Sequence, residues 1–202
     1  MAAARGVPPE SPSEQWQPLL IQPPLAELRG DPLADAALSE LPRLVPPSVA
    51  VHSLRAFLLA DARARARGVD YDRPGLLAAA VFHDTGLSGS TPAPRGGFPS
   101  RSAELLDRFL AGHGVGETRR GVLTRAVREH MRPFPARDAG AEERLLHFGA
   151  WLDVTGRGGR QVPGERRRLA ALVGTPWFAV SFSARVAGHG VRRVLPASSA
   201  AR

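Results

Sequence analysis

The apolar run Leu76–Phe82 (LLAAAVF) closes on two polar residues, His83 and Asp84. Burying an imidazole or a carboxylate is costly unless each finds a partner. A divalent metal ion is such a partner, because it takes neutral imidazole and ionised carboxylate together. His52 lies upstream and Asp153 downstream, each on a stretch that reads as helix. The order His…His-Asp…Asp is therefore a candidate set of four metal ligands: His52, His83, Asp84 and Asp153. Two imidazoles and two carboxylates suit a borderline or moderately hard cation, Zn, Fe, Mn, Co or Ni. Such an ion lowers the pKa of water enough to make a nucleophile near neutral pH, and an adjacent carboxylate can steer that water or take its proton.

These residues need helices to position them, and the chain supplies the pattern. Asp31 and Pro32 read as the N-cap and first position of a short helix ending near Leu41. Ser48 is expected to cap a helix running to Arg67, with Val51, Leu54 and Leu58 on one side and Gly68 as its stop. His52 and Arg55, three residues apart, share a face of it. Pro74 opens the next helix, which carries His83-Asp84 at its end. A Gly-, Pro- and Ser-rich loop follows. Ser100 or Ser102 then opens a helix ending at Gly112 or Gly114. Further helices are expected over 116–131, 139–155 and 163–173. Beyond Pro176 the pattern, WFAVSFSARVA, fits helix or extended chain equally. No segment alternates as a strand, so the expected fold is all-α.

Composition narrows the class. At 202 residues the chain fits one domain with a real core. It has no cysteine, which excludes disulfides and thiolate zinc sites and fits a reducing cytoplasm. No apolar run is long enough for a membrane span, and MAAARGVPPESPSEQW has no signal-like apolar core. A cytoplasmic location and no membrane partner are the expectation. Every basic side chain besides histidine is arginine, and the net charge of +8 is concentrated at one end. Residues 154–202 hold nine arginines against the single acid Glu165. Such a tail could meet nucleic acid or an acidic lipid surface. No stacking or groove-reading motif accompanies it, so a nucleic-acid partner is not expected. The dense prolines of residues 1–30 read as an arm, flexible or laid over the surface.

The quoted residues resemble a known family. HSLRAF (52–57), AAVFHDTGL (79–87) and Leu152-Asp153 are similar to motifs of the HD-domain superfamily of metal-dependent phosphohydrolases, an all-α fold named for its His-Asp pair. The likeness is greatest to its cyanamide hydratase-like branch, where the first histidine sits in His-Ser-x-Arg and the pair continues as His-Asp-x-Gly. It covers about residues 45–155. The resemblance implies a metal held by His52, His83, Asp84 and Asp153. Two departures stand out: Val51 replaces that branch's asparagine before the first histidine, and Thr85-Gly86-Leu87 replaces the nearby glutamate common in HD nucleotidases.

Together these readings give a Pro-rich arm with one short helix (1–44), an HD-type metal-binding helical domain (45–175) and a basic extension (176–202). The expected activity is a metal-dependent hydrolase or hydratase, with activated water attacking a small, nitrile-like or amide-like substrate. Asp84 would orient or deprotonate the water, while His130 and Arg55 would polarise or protonate the substrate. The alternatives are an HD phosphohydrolase acting on a nucleotide or other phosphate ester, and a non-catalytic regulatory or nucleic-acid-binding protein using the arginine-rich tail. Of the other histidines, His113 reads as a helix stop, His147 as packing or surface and His189 as inert. Phe148 and Trp151 read as core, and Arg166–Arg168 as a solvated helix face.

Overall fold

The computed structural model describes residues 16–88 and 96–174. Regular structure among them is helical throughout: α1 (Gln17–Leu20), α2 (Pro23–Ala26), α3 (Pro32–Leu44), α4 (Pro47–Arg67), α5 (Arg73–Phe82), α6 (Phe98–Gly112), α7 (Glu117–Glu129), α8 (Ala141–Thr155) and α9 (Glu165–Leu172). This is the all-α single domain expected, and among the described residues no helix is long and apolar enough to cross a membrane. The basic extension, His189 and the WFAVSFSARVA stretch lie outside the described residues.

Helix α5 is the hub. Asp72 caps it by accepting from Gly75 N at 3.0 Å, Pro74 sits in its first turn, and every residue from Gly75 to Phe82 is buried. A helix apolar on all sides must be surrounded, and α3, α4, α6, α7 and α8 pack around it. Its C-terminus, where carbonyl dipoles favour a cation, therefore ends inside the protein at His83-Asp84. Along one side α4 packs lengthwise on α8, and α6 pairs with α7.

The described part of the proline-rich lead-in, residues 16–30, is helical and packed into the core. Prolines open both α1 and α2 at the first turn, where the missing N–H costs nothing. Trp16, Leu19, Leu25 and Leu28 are buried in the same core as α4 and α5. Two helix starts also differ from expectation. Helix α4 begins at Pro47 with Pro46 before it, so Ser48 lies inside the first turn. Helix α6 begins at Phe98, after Gly97 at φ 77°. Ser102 is buried and its hydroxyl accepts from Gly86 N at 2.9 Å. It holds the turn after Asp84 instead of capping a helix.

Candidate metal centre

His83 and Asp84 leave α5 in a tight turn. His83 Nδ1 donates to Ala80 O at 2.7 Å, Thr85 Oγ1 donates to Phe82 O at 2.7 Å, and Leu87 N donates to Asp84 O at 3.0 Å. The first two satisfy carbonyls in the last turn of the helix. Gly86 seats the turn: a Cβ there would lie 2.2 Å from Phe98 O.

Helices α4 and α8 bring the flanking residues in. Their backbones nearly touch at Gly149, where a Cβ would lie 2.0 Å from Ala56 O. One helical turn from that contact, in opposite sequence directions on the two helices, stand His52 and Asp153. His52 Nδ1 donates to Asp153 Oδ2 at 2.8 Å, and Arg55 Nη2 pairs with Asp153 Oδ1 at 2.5 Å. Arg55 Nη1 also reaches Val173 O at 3.5 Å, and Arg166 Nε donates to the Asp153 carbonyl at 3.0 Å. His130 enters from the end of α7, its Nδ1 donating to Val127 O at 2.6 Å and its own carbonyl accepting from Trp151 Nε1 at 2.9 Å. The Phe98 ring stands edge-on to it, 5.9 Å between centroids.

The acceptors fix three tautomers. His52, His83 and His130 each place Nδ1 against an oxygen, so Nδ1 carries the proton and, in the neutral ring, Nε2 the lone pair. All three Nε2 atoms turn toward Asp84. His83 Nε2 lies 3.1 Å from Asp84 Oδ2 and His52 Nε2 3.6 Å, while His130 Nε2 lies 3.5 Å from Oδ1. His52 Nε2 and His83 Nε2 are only 3.2 Å apart. Neither Asp84 oxygen nor His130 Nε2 has a hydrogen-bond partner, although all three atoms are buried.

Lone pairs packed this closely need a proton or a cation among them. Burial favours the neutral forms of His83 and Asp84, but their mutual attraction overrides it. Asp84 holds the His83 imidazole above its usual pKa, and His83, His130 and His52 hold the Asp84 carboxyl far below the carboxylate range. Burial pushes His130 the other way, toward neutral imidazole. Donors bound tetrahedrally at zinc distances stand about 3.4 Å apart, close to the spacings among His52, His83 and Asp84. Their donor atoms all lie within 4.8 Å of one another, and these three buried residues could form a metal site.

All six residues singled out in the sequence meet here. Asp153 stands at the far ring nitrogen of His52, and Arg55 is engaged by Asp153. The helix contact at Gly149, the Gly86–Ser102 clasp and the Trp151 anchor are additional parts. Only the glycine inside an otherwise helical segment signalled one of them. Elsewhere, His113 caps α6 as expected, its Nδ1 on Phe109 O at 2.8 Å. His147 packs against Trp151 and donates to Arg132 O, and Phe148 is buried. Trp151 is only partly buried, and Arg166 is held on Asp153 where a solvated face was expected. No protein-family model matches this chain, nor does any curated protein.

Proposed function

We propose that this protein is a metal-dependent hydrolase or hydratase of the HD-domain type, with a divalent ion held by His52, His83 and Asp84. One observation carries the reading: buried lone pairs of three imidazoles converge on a buried carboxylate that no hydrogen-bond donor satisfies. When bound, a divalent ion supplies Lewis-acid polarisation and makes water more acidic. The protein's own groups do the rest. Asp84 uses the oxygen facing His130 to orient the attacking water. His130, neutral with its Nε2 lone pair turned inward, takes the proton and returns it to the substrate. For addition to a nitrile-like carbon, oxygen joins carbon and the proton passes to nitrogen. Burial of every one of these side chains favours a small substrate. Arg55, the arginine expected to act on the substrate, is paired with Asp153 and is not offered to a phosphate, which supports a neutral substrate.

The test is metal analysis of protein purified without added ions, followed by a substrate screen. We expect close to one equivalent of metal per chain, and turnover of cyanamide or a small amide. A metal-free wild type whose melting temperature ignores added Zn, Fe, Mn, Co and Ni would overturn the reading. Phosphate release from nucleotides, without cyanamide turnover, would replace hydration by phosphate-ester hydrolysis.

A further inference from the structure

Asp153 differs from Asp84 in what its oxygens do. Oδ2 accepts from His52 Nδ1 at 2.8 Å, and Oδ1 faces the Arg55 guanidinium at 2.5 Å, with all three side chains buried. A carboxylate with one oxygen hydrogen-bonded to His52 and the other ion-paired with a fixed positive charge is a poor donor to a second cation. It is well placed for another task. Accepting from Nδ1–H fixes the His52 ring orientation that turns Nε2 toward His83 and Asp84. The geometry points to Asp153 as a positioning residue that orients His52 toward the ion without binding it, with Arg55 neutralising its buried charge. This departs from the ligand role that the family resemblance implies, and it rests on the metal reading above.

Contact at Gly149 gives the arrangement its rigidity. Because α4 and α8 touch backbone to backbone one turn away, the His52–Asp153 pair is set by helix packing. Arg166, on α9, holds the Asp153 main chain from the other side. The order along the line is Arg55, Asp153, His52, ion.

Titration with Co²⁺, read by its visible absorption and by competition with a chelator, separates the two roles. For Asp153→Asn we expect one ion per chain, the wild-type band pattern and roughly 10–100-fold weaker affinity. His83→Ala should lose the ion altogether. Loss of binding in Asp153→Asn as complete as in His83→Ala, or a changed band pattern, would overturn the inference. Should Asp153→Asn fail to fold, wild type loaded with Zn²⁺ answers by NMR. A His52 Nδ1–H proton that stays far downfield supports the positioning role, and its return to an ordinary shift would show Asp153 released to the ion. Failure of wild type to bind either metal would instead overturn the metal reading itself.

Discussion

Two buried aspartates stand close to helix α4 and share nothing else. Asp61, on α4 itself, is ringed by donors. Tyr71 Oη donates to its Oδ1 at 2.7 Å, Arg73 Nε lies 3.3 Å from the same oxygen, and Arg65 Nη2 lies 2.6 Å from Oδ2. Asp84, at the end of α5, faces three imidazole nitrogens that carry lone pairs. Both carboxylates are almost wholly buried. Around Asp61 the protein meets the charge with one hydrogen bond and two arginine ion pairs, and the result is structural: Arg73 also reaches Glu27 and Pro24 O, tying the N-terminal segment to the core. Around Asp84 it supplies only imidazole nitrogens, which can share a proton or bind a cation. Burial alone marks neither site. The sign of the surrounding groups separates a strut from a receptor for a cation.

The sharpest way to break this comparison is to make one substitution at both positions. Asp→Asn removes a charge and adds an N–H donor. At Asp84 the new donor can meet an imidazole lone pair, which offsets the lost attraction to His83, so metal-free Asp84→Asn should stay within about 1 kcal/mol of wild type. It should also lose the metal, and with it the stabilisation of about 2.7 kcal/mol expected at a hundredfold excess of metal over Kd. At Asp61 the added donor points at donors. Asp61→Asn should cost about 1–3 kcal/mol and leave metal binding unchanged. Urea unfolding with and without metal measures both. Equal destabilisation of the two variants in metal-free protein would show that Asp84 is held as Asp61 is.

Reading the chain alone reaches these two sites unequally, for a physical reason. His83 and Asp84 are legible because polar groups ending an apolar run carry the anomaly with them, and His52 and Asp153 complete a recognisable order. Asp61 sits where LLADARARAR turns from apolar to charged, and nothing in that pattern singles it out. Its burial comes from Tyr71 and the N-terminal segment folding over it, and no local pattern encodes that. Asp153 shows the same limit at finer scale. Its presence near the site is legible, but which nitrogen of His52 it meets depends on the depth of the α4–α8 contact. Ser102 reads as a helix cap because serine favours caps, whereas the turn after Asp84 recruits it instead.

That helix contact gives the next test. A Cβ on residue 149 would meet the Ala56 carbonyl, backbone against backbone, with no flexible end to yield. Gly149→Ala should therefore force α4 and α8 apart, costing about 1–3 kcal/mol and weakening metal binding by shifting His52. Gly121, exposed inside α7 with nothing within 4 Å of its Cβ position, is the control. Gly121→Ala should gain up to about 1 kcal/mol from helix propensity and leave the metal untouched. Denaturant midpoints and metal affinity for the pair decide it. A Gly149→Ala protein as stable as wild type would mean that the Asp84 side of the comparison does not depend on this contact.

The Asp61 side can be followed without any mutation, because composition isolates one group. The chain has no lysine, no cysteine and a single tyrosine, Tyr71. Tyrosinate absorbance in an alkaline titration therefore reports the Asp61 cluster alone. Burial and the hydrogen bond to the Asp61 carboxylate raise the Tyr71 pKa well above its ordinary value of about 10. The folded protein thus keeps a proton that the unfolded chain releases. Above pH about 10 the native state binds more protons than the unfolded one, so stability falls as pH rises through that range. Tyrosinate should appear late and together with unfolding, as one cooperative step. Tyr71→Phe removes the titration and should flatten the alkaline loss of stability, at a cost of about 1 kcal/mol at neutral pH for the missing bond. Tyrosinate forming near pH 10 in a protein that stays folded would mean that Tyr71 does not donate to Asp61, and the contrast between the two aspartates would then rest on the arginines alone.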